Sequence, residues 1–444
     1  MSLQRPLREW GRWKEIDPAS KTLLLNRGRA GALVTDELRA EVSEIVDDVR
    51  SRGDEAVVSA TRKYDDPSFT ADRLIVGTAE VRRAREQVAP EVLAAIRDSI
   101  EHIRIFNEEI LSGAEWSREV SPGLRMGEKI TPIASAGLFV PSGKASYPSV
   151  MMQLGVPART AGVPLVAVVV PPAVDGSVDP AVLTAADELG ISRIYRANGP
   201  AGVAALAFGT ETIPAVRKIL GPGSPAVVCA QLLTQAYGST SINMMGPSES
   251  VILADGSAEI DLLAADLLNE AEHGPDSASV LVTDSPAILQ EVQEEIAHRL
   301  AQLPEPRRGF AAKSLGENGG VVLVDDVREG AEVINCYAPE HLEILVEDPA
   351  AAVALIRNAG EILVGRWTPI SSANFVLGCP AILPTGGFAD VSSGVTVNAF
   401  VKRSAVVEAD AAAFAKISRT AATLAEHEGF PAHREAILAR NRLL

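Results

Sequence analysis

From about Ile133 onward the chain alternates short β-branched runs with Ala/Leu-rich runs, and this alternation restricts its fold more than any other feature. VPLVAVVVPP, SRIYRANG, SESVILAD, SASVLVTD, GGVVLVDD and GEILVG are nearly continuous apolar runs of strand length, bounded by turn residues, and read as buried strands. TAADELG, AGVAALAFG, AVVCAQLLTQAY, AEIDLLAADLL and ILQEVQEEIAHRL read as the helices between them. A strand that is apolar on both faces has to be covered on both faces, so the pattern predicts parallel sheets flanked by helices. The strands fall into two groups, about 130–240 and 250–370, which predicts an α/β fold with two Rossmann-like domains.

The ends of the chain differ. Leu38, Val42, Ile45, Val46 and Val49 form one face of an amphipathic helix over 35–52, with Thr35 or Asp36 as its cap and Gly53 as its stop. Helical patterns continue to about residue 112, and Pro122-Gly123 closes them. AAAFAKISRTAATLAEHEGF near the other end is again helical. The expected organisation is an α-rich N-terminal segment over 1–125, Rossmann-like domains over 126–245 and 246–385, and a helical C-terminal tail over 386–444.

A net charge of −17 argues against nucleic acid or an anionic membrane as the main partner. Cys229, Cys336 and Cys379 stand far apart with no CxxC, which excludes a disulfide framework and a thiolate zinc site and fits a reducing compartment. The first residues lack the apolar core of a secretory signal, and VPLVAVVVPPAV is too short to span a bilayer. A cytoplasmic protein is the expectation.

Six histidines occur, so each is informative. His102 and His298 sit in helical patterns where a structural role suffices. Glu270 and His273, in NEAEHG, are three apart at the end of a helical run, with Gly274 as its expected stop. That spacing aims both heads at one point, and suits either a solvated helix end or half of a metal site. Glu340-His341, in YAPEHLEILV, sits where a loop meets a strand; such a pair can move protons or lie in a solvated turn. Glu428 and His433 flank a turn in EHEGFPAHR. GPGSPAVVCAQ could cradle a phosphate at a helix start, and GLFVPSGKASYPS is a strand followed by a polar loop carrying Ser142, Gly143, Lys144 and Ser146. HExxH and GxSxG are both missing.

Taken in order, GLFVPSGKASYPSVMMQLGVPARTAGV, AALAFGTETIPAVRKILGPGS, MGPSES, DLLNEAEHGPDS, YAPEHLEI, ILPTGGFADVSSG and EGFPAHREAI resemble the histidinol dehydrogenase family over residues 137–438. The resemblance implies an aldehyde dehydrogenase-like arrangement of the two domains, the first binding nucleotide and the second carrying metal and catalytic motifs. It implies oxidation of a primary alcohol through the aldehyde to the carboxylate with two NAD, one zinc or other divalent metal per site, and a homodimer whose C-terminal tails cross. It makes His341 the base for the alcohol proton and Glu340 the group that activates water on the aldehyde. Ser248, His341 and Glu428 match substrate contacts. Glu270, His273, Asn374 and His433 match the metal ligands, with His433 also a substrate contact.

The departures are specific. Glu270 replaces a Gln and Asn374 an Asp, so one carboxylate, one amide and two imidazoles remain, a donor set that suits zinc. Ala381, in GCPAILPT, stands where a substrate-contacting histidine is expected, and a methyl group can neither donate nor accept. At the nucleotide positions Phe139 replaces a Tyr, Ala201 a Gln and Ser224 an Asn, each lost contact worth about 1 kcal/mol. Gln231 stands where a Lys is usual. The reading is therefore a metal-dependent, NAD-linked oxidoreductase for a small polar alcohol other than histidinol. The alternatives are histidinol dehydrogenase itself, an NAD-independent metalloenzyme, and a non-catalytic binding protein on the same fold.

Overall fold

The computed structural model describes residues 5–25, 34–143, 145–238 and 247–444. In chain order the strands are β1 (Glu9–Arg12), β2 (Trp116–Ser121), β3 (Leu124–Pro132), β4 (Ser135–Phe139), β5 (Leu165–Val170), β6 (Arg193–Arg196) and β7 (Lys218–Leu220). They continue with β8 (Glu249–Ala254), β9 (Ala278–Thr283), β10 (Gly320–Leu323), β11 (His341–Leu345), β12 (Glu361–Val364) and β13 (Val401–Ala409). Two parallel sheets form the frame, ordered β6-β5-β4-β7 and β1-β10-β9-β8-β11-β12. A third sheet, β13-β3-β2, is antiparallel.

The two-sided apolar strands do what their composition requires. In β5, Val166, Val168 and Val170 pack with Met151, Leu154 and Val182 on one face, while Ala167 and Val169 pack with Val203, Leu206 and Val46 on the other. In the second sheet Ile252, Leu281 and Val321 meet the helices Ile260–Ala271 and Pro286–Gln302. Val251, Leu253, Val280 and Val282 meet Leu24, Val333 and Ile334 opposite. Each such side chain taken from water contributes about 1.5–3 kcal/mol. The helix Asp36–Arg52 begins as its residues suggest, with the Thr35 hydroxyl accepting from Leu38 N–H and Gly53 at φ 55° ending it.

The α-rich N-terminal segment and the helical tail each also contain strands. β1, EWGR, adds the edge strand of the second sheet by pairing with β10, and Trp10 Nε1 donates to the Gly319 carbonyl at 2.9 Å. β13 lies inside the C-terminal tail and pairs with β3 along its whole length. Its sequence, VKRSAVVEA, is almost wholly exposed and so carries no buried-strand signature. β7 is only three residues long, too short for periodicity to reveal. The Ile260–Ala271 helix ends before the expected stop: Glu272 caps it in a right-handed conformation, and Gly274 does not adopt positive φ. The chain instead turns into β9, with Ser277 N–H donating to the Gly274 carbonyl at 3.1 Å.

Two junctions position the candidate functional residues. In the first sheet the winding reverses between β4 and β7, a switch point at whose carboxyl end ligands of open α/β sheets sit. The Pro148–Thr160 helix, which comes after β4, reaches the second unit: Gln153 Nε2 donates to the Cys379 carbonyl at 3.1 Å and its Oε1 accepts from Ala381 N–H at 3.3 Å. The carboxyl end of the first sheet is thereby tied to the segment beside the amino end of β12.

Candidate active site

Glu340 and His341 stand at the amino end of β11, between β8 and β12. His341 is in register with Ser250 on one side and Glu361 on the other. Both members of the pair are buried, which sets aside the solvated-turn alternative. Glu340 Oε2 accepts from Glu249 N–H at 3.1 Å, and Oε1 lies 3.7 Å from His341 Nε2. His341 Nδ1 is 2.5 Å from Glu361 Oε1, and Glu361 Oε2 accepts from Cys379 Sγ at 3.3 Å. Ser248 directly precedes β8, half-buried, its carbonyl accepting from Ala278 N–H at 3.0 Å.

Glu361 was not among the residues singled out from sequence. GEILVG reads as a plain buried strand, and the only signal is a carboxylate opening an otherwise apolar run. Such a group is not left buried without a partner.

The electrostatics are those of carboxylates crowded around one imidazole. Burial holds the Glu340 carboxyl well above its ordinary range; His341 opposes this, and the charges of Glu270 and Glu249 reinforce it. Burial alone would lower the His341 pKa, but Glu340, the Glu361 hydrogen bond and Glu270 outweigh it and raise it to about 10. The two shifts compete for one proton, since a neutral Glu340 cannot raise its neighbour. The Glu361 bond holds a proton at Nδ1 whatever the state of Glu340, so the contested proton is the one between Nε2 and Glu340 Oε1, 3.7 Å apart.

Glu270 lies in the last turn of Ile260–Ala271, only 1% exposed, and its Oε2 has no hydrogen-bond partner. His273 Nε2 sits 3.8 Å from Glu270 Oε1, with its imidazole largely open to solvent. The Ile370–Phe375 helix, which carries half-buried Asn374, packs against Ile260–Ala271. An orphaned buried carboxylate oxygen beside an open imidazole fits a divalent cation, because the ion supplies the missing partner. His433 is elsewhere: it is exposed on the Pro431–Asn441 helix, against Phe430, and that helix packs on Ala411–His427. Among the described residues no three His, Cys, Asp or Glu side chains are arranged to hold a metal ion, so one chain does not unite His433 with Glu270 and His273. Glu428, capping Ala411–His427, is exposed as well. His102 and His298 have structural partners, the Val376 carbonyl at 2.7 Å and Gln302 at 2.8 Å.

The nucleotide-matching residues gather at the switch point. Phe139 ends β4, Ala201 lies in the first turn of Gly199–Phe208, and Ser224 precedes Pro225–Gln235, the helix after β7. The side chains of Phe139 and Ala201 are buried in the core, so at these two positions the rim offers backbone alone. Ser224 is exposed and makes no capping bond, leaving its hydroxyl and the helix N-terminus available to a phosphate. Gln231 is buried and donates to the Gly221 carbonyl at 3.0 Å. Ser142 donates to the Pro171 carbonyl at 2.6 Å, and Lys144 lies outside the described residues. Half-buried Ala381 holds its place through the Gln153 contact.

A family model described as histidinol dehydrogenase matches residues 29–441. A protein of Synechocystis sp. named histidinol dehydrogenase is 40% identical over 409 residues, covering 92% of this chain and 94% of its own. A histidinol dehydrogenase homolog of Rhizobium meliloti is 43% identical over 426 residues, covering 96% of this chain and 92% of its own. The crystal structure of histidinol dehydrogenase from Elizabethkingia anophelis superposes with a TM-score of 0.92 at 30% identity, covering 99% of this chain and 98% of that one.

Proposed function

The chain belongs to the histidinol dehydrogenase family of oxidoreductases, and we propose that it oxidises a small polar primary alcohol other than histidinol, through the aldehyde, to the carboxylate. The observation that carries this reading is the buried Glu340–His341 pair beside the unpartnered Glu270 oxygen. Ala381 supports a substrate other than histidinol, because neither its methyl group nor its backbone N–H, already given to Gln153, can replace an imidazole.

In this reading Glu270, His273 and Asn374 of one subunit, with His433 of the other, would hold a divalent ion. When bound, the ion would orient and polarise the substrate hydroxyl, and NAD at the β4/β7 switch point would accept hydride. His341 Nε2 takes the hydroxyl proton, its ring fixed from the Nδ1 side. Glu340 takes a proton from the water that adds to the aldehyde, and its burial makes that carboxyl basic enough for the task. Burial of both residues keeps bulk water away from the reacting groups.

A second subunit is part of the proposal. Trp367 and Phe375, on either side of Asn374, are 86% and 61% exposed, and Phe430 in the tail is exposed too. Apolar surface at the site and on the tail suits a crossing homodimer. No helix among the described residues is long and apolar enough to cross a membrane.

The test is NADH formation by zinc-loaded protein given NAD and L-histidinol, then a panel of small polar primary alcohols. Turnover of a panel member with L-histidinol inert is expected, and rapid formation of two NADH per histidinol would overturn the non-histidinol reading. Histidinol dehydrogenase itself is the second reading, favoured by the relatives of that name at about 40% identity. An NAD-independent reaction is the third, since Phe139 and Ala201 give the nucleotide no polar side chain; failure of the protein to bind NADH would favour it.

A further inference from the structure

We propose that Glu361 is a positioning residue for His341: it holds the imidazole with Nδ1 protonated and Nε2 free toward Glu340 and the substrate, and Cys379 braces the carboxylate from behind. The inference rests on the reading of His341 as the base. Three observations carry it. The parallel register of β11 and β12 sets His341 directly opposite Glu361, so the contact is built into the sheet rather than into a loop. The Nδ1–Oε1 distance is 2.5 Å, and an ionised carboxylate can only accept, so the proton belongs to Nδ1. The second oxygen is engaged by the Cys379 Sγ–H at 3.3 Å, which keeps the first aimed at the ring.

Cys379 suits that role as a thiol. Burial first, then the charge of Glu361, push its pKa up to about 12, so it stays a donor. The segment holding it is itself held, since the Cys379 carbonyl accepts from Gln153 of the first unit. Glu361 does not touch the substrate in this scheme. It decides which nitrogen receives the alcohol proton and stabilises the imidazolium that results.

The experiment uses the zinc-loaded protein labelled with ¹⁵N-histidine and needs no substrate. The wild type should show a low-field proton resonance split by ¹⁵N, arising from the short Nδ1–H bond. It should vanish in His341→Asn, which assigns it, and in Glu361→Ala. It should persist at higher field in Glu361→Gln, whose amide oxygen still accepts but is neutral; this variant also covers the case in which the alanine protein does not fold. Zinc content should stay unchanged in both Glu361 variants. Cys379→Ser, which keeps a donor, should leave the resonance in place.

Persistence of the resonance in Glu361→Ala, with or without a lowered melting temperature, would overturn the assignment, as would loss of zinc, which would make Glu361 part of the metal site. With the alcohol selected by the NADH assay, Glu361→Ala should lower kcat on the order of 10²-fold and leave KM unchanged. If His341→Asn oxidised that alcohol as fast as the wild type, the base reading would fail, while the tautomer result would still decide the contact.

Discussion

Replacing Glu343 by Gln should make the protein more stable at alkaline pH and flatten its stability against pH. Glu343 lies two residues beyond His341 on β11, 1% exposed, with its carboxyl against Asp266 of the Ile260–Ala271 helix. Its Oε2 has no hydrogen-bond partner. Burial first, then the charge and hydrogen bond of Asp266, raise its pKa from 4.5 to about 9, and burial also raises that of Asp266. The two carboxyls therefore hold a proton between them at neutral pH. A carboxyl whose pKa is higher folded than unfolded binds more protons in the folded state. Its stabilising effect is complete below about pH 4.5 and is lost as pH rises toward about 9. One proton corresponds to a slope of about 1.4 kcal/mol per pH unit, or roughly 3 kcal/mol between pH 6 and 8. Gln matches Glu in shape, can donate to Asp266, and has no proton to lose. Urea unfolding of wild type and Glu343→Gln at pH 6, 7 and 8 reads the titration of the Glu343–Asp266 pair, because titrating groups remote from it cancel in the difference. The wild type should lose up to roughly 3 kcal/mol more than the variant over that range. Parallel curves would refute the shared proton, and a variant weaker at every pH would mean that the pair is an ordinary hydrogen bond.

Two further outcomes come from the geometry. Gly221 has φ +142°, and a Cβ there would lie 2.1 Å from the Phe139 carbonyl oxygen, so Gly221→Ala should force β4 and β7 apart at the switch point; a loss of about 1–3 kcal/mol in urea unfolding and weaker NADH binding by fluorescence titration are expected. If the tails cross, a mixed dimer of a Glu270→Ala chain with a His433→Ala chain keeps one intact ligand set and should hold half the wild-type zinc by elemental analysis. If each tail serves its own subunit, that dimer holds none.

What was legible in the sequence was what is local. Glu340 and His341 are adjacent, Glu270 and His273 share one helical turn, and the two-sided strands announce their sheets by composition. What escaped was set by pairing between distant segments. β13 offers no buried face and is defined by β3, some 270 residues earlier. Glu361 gains its meaning from the β11–β12 register, twenty residues on from His341. The end of each sheet at which the candidate residues lie was equally hidden, because alternation specifies layers and not edges. The nucleotide-matching residues obey the usual rule, lying at the carboxyl end of the first sheet, whereas Ser248, Glu340, His341 and Glu361 all open their strands. The amino end has its own use. There the first N–H of β8, that of Glu249, points across the sheet and donates to the Glu340 carboxylate at 3.1 Å. A carboxylate so held stays oriented while remaining buried and basic. A site built from opposite ends of two sheets needs a rigid tie between them, and Gln153, bonded to the backbone at both Cys379 and Ala381, provides it. In the proposed function, alanine at 381 in place of a histidine would remove a substrate contact without loosening the frame, because the tie from Gln153 is to backbone atoms.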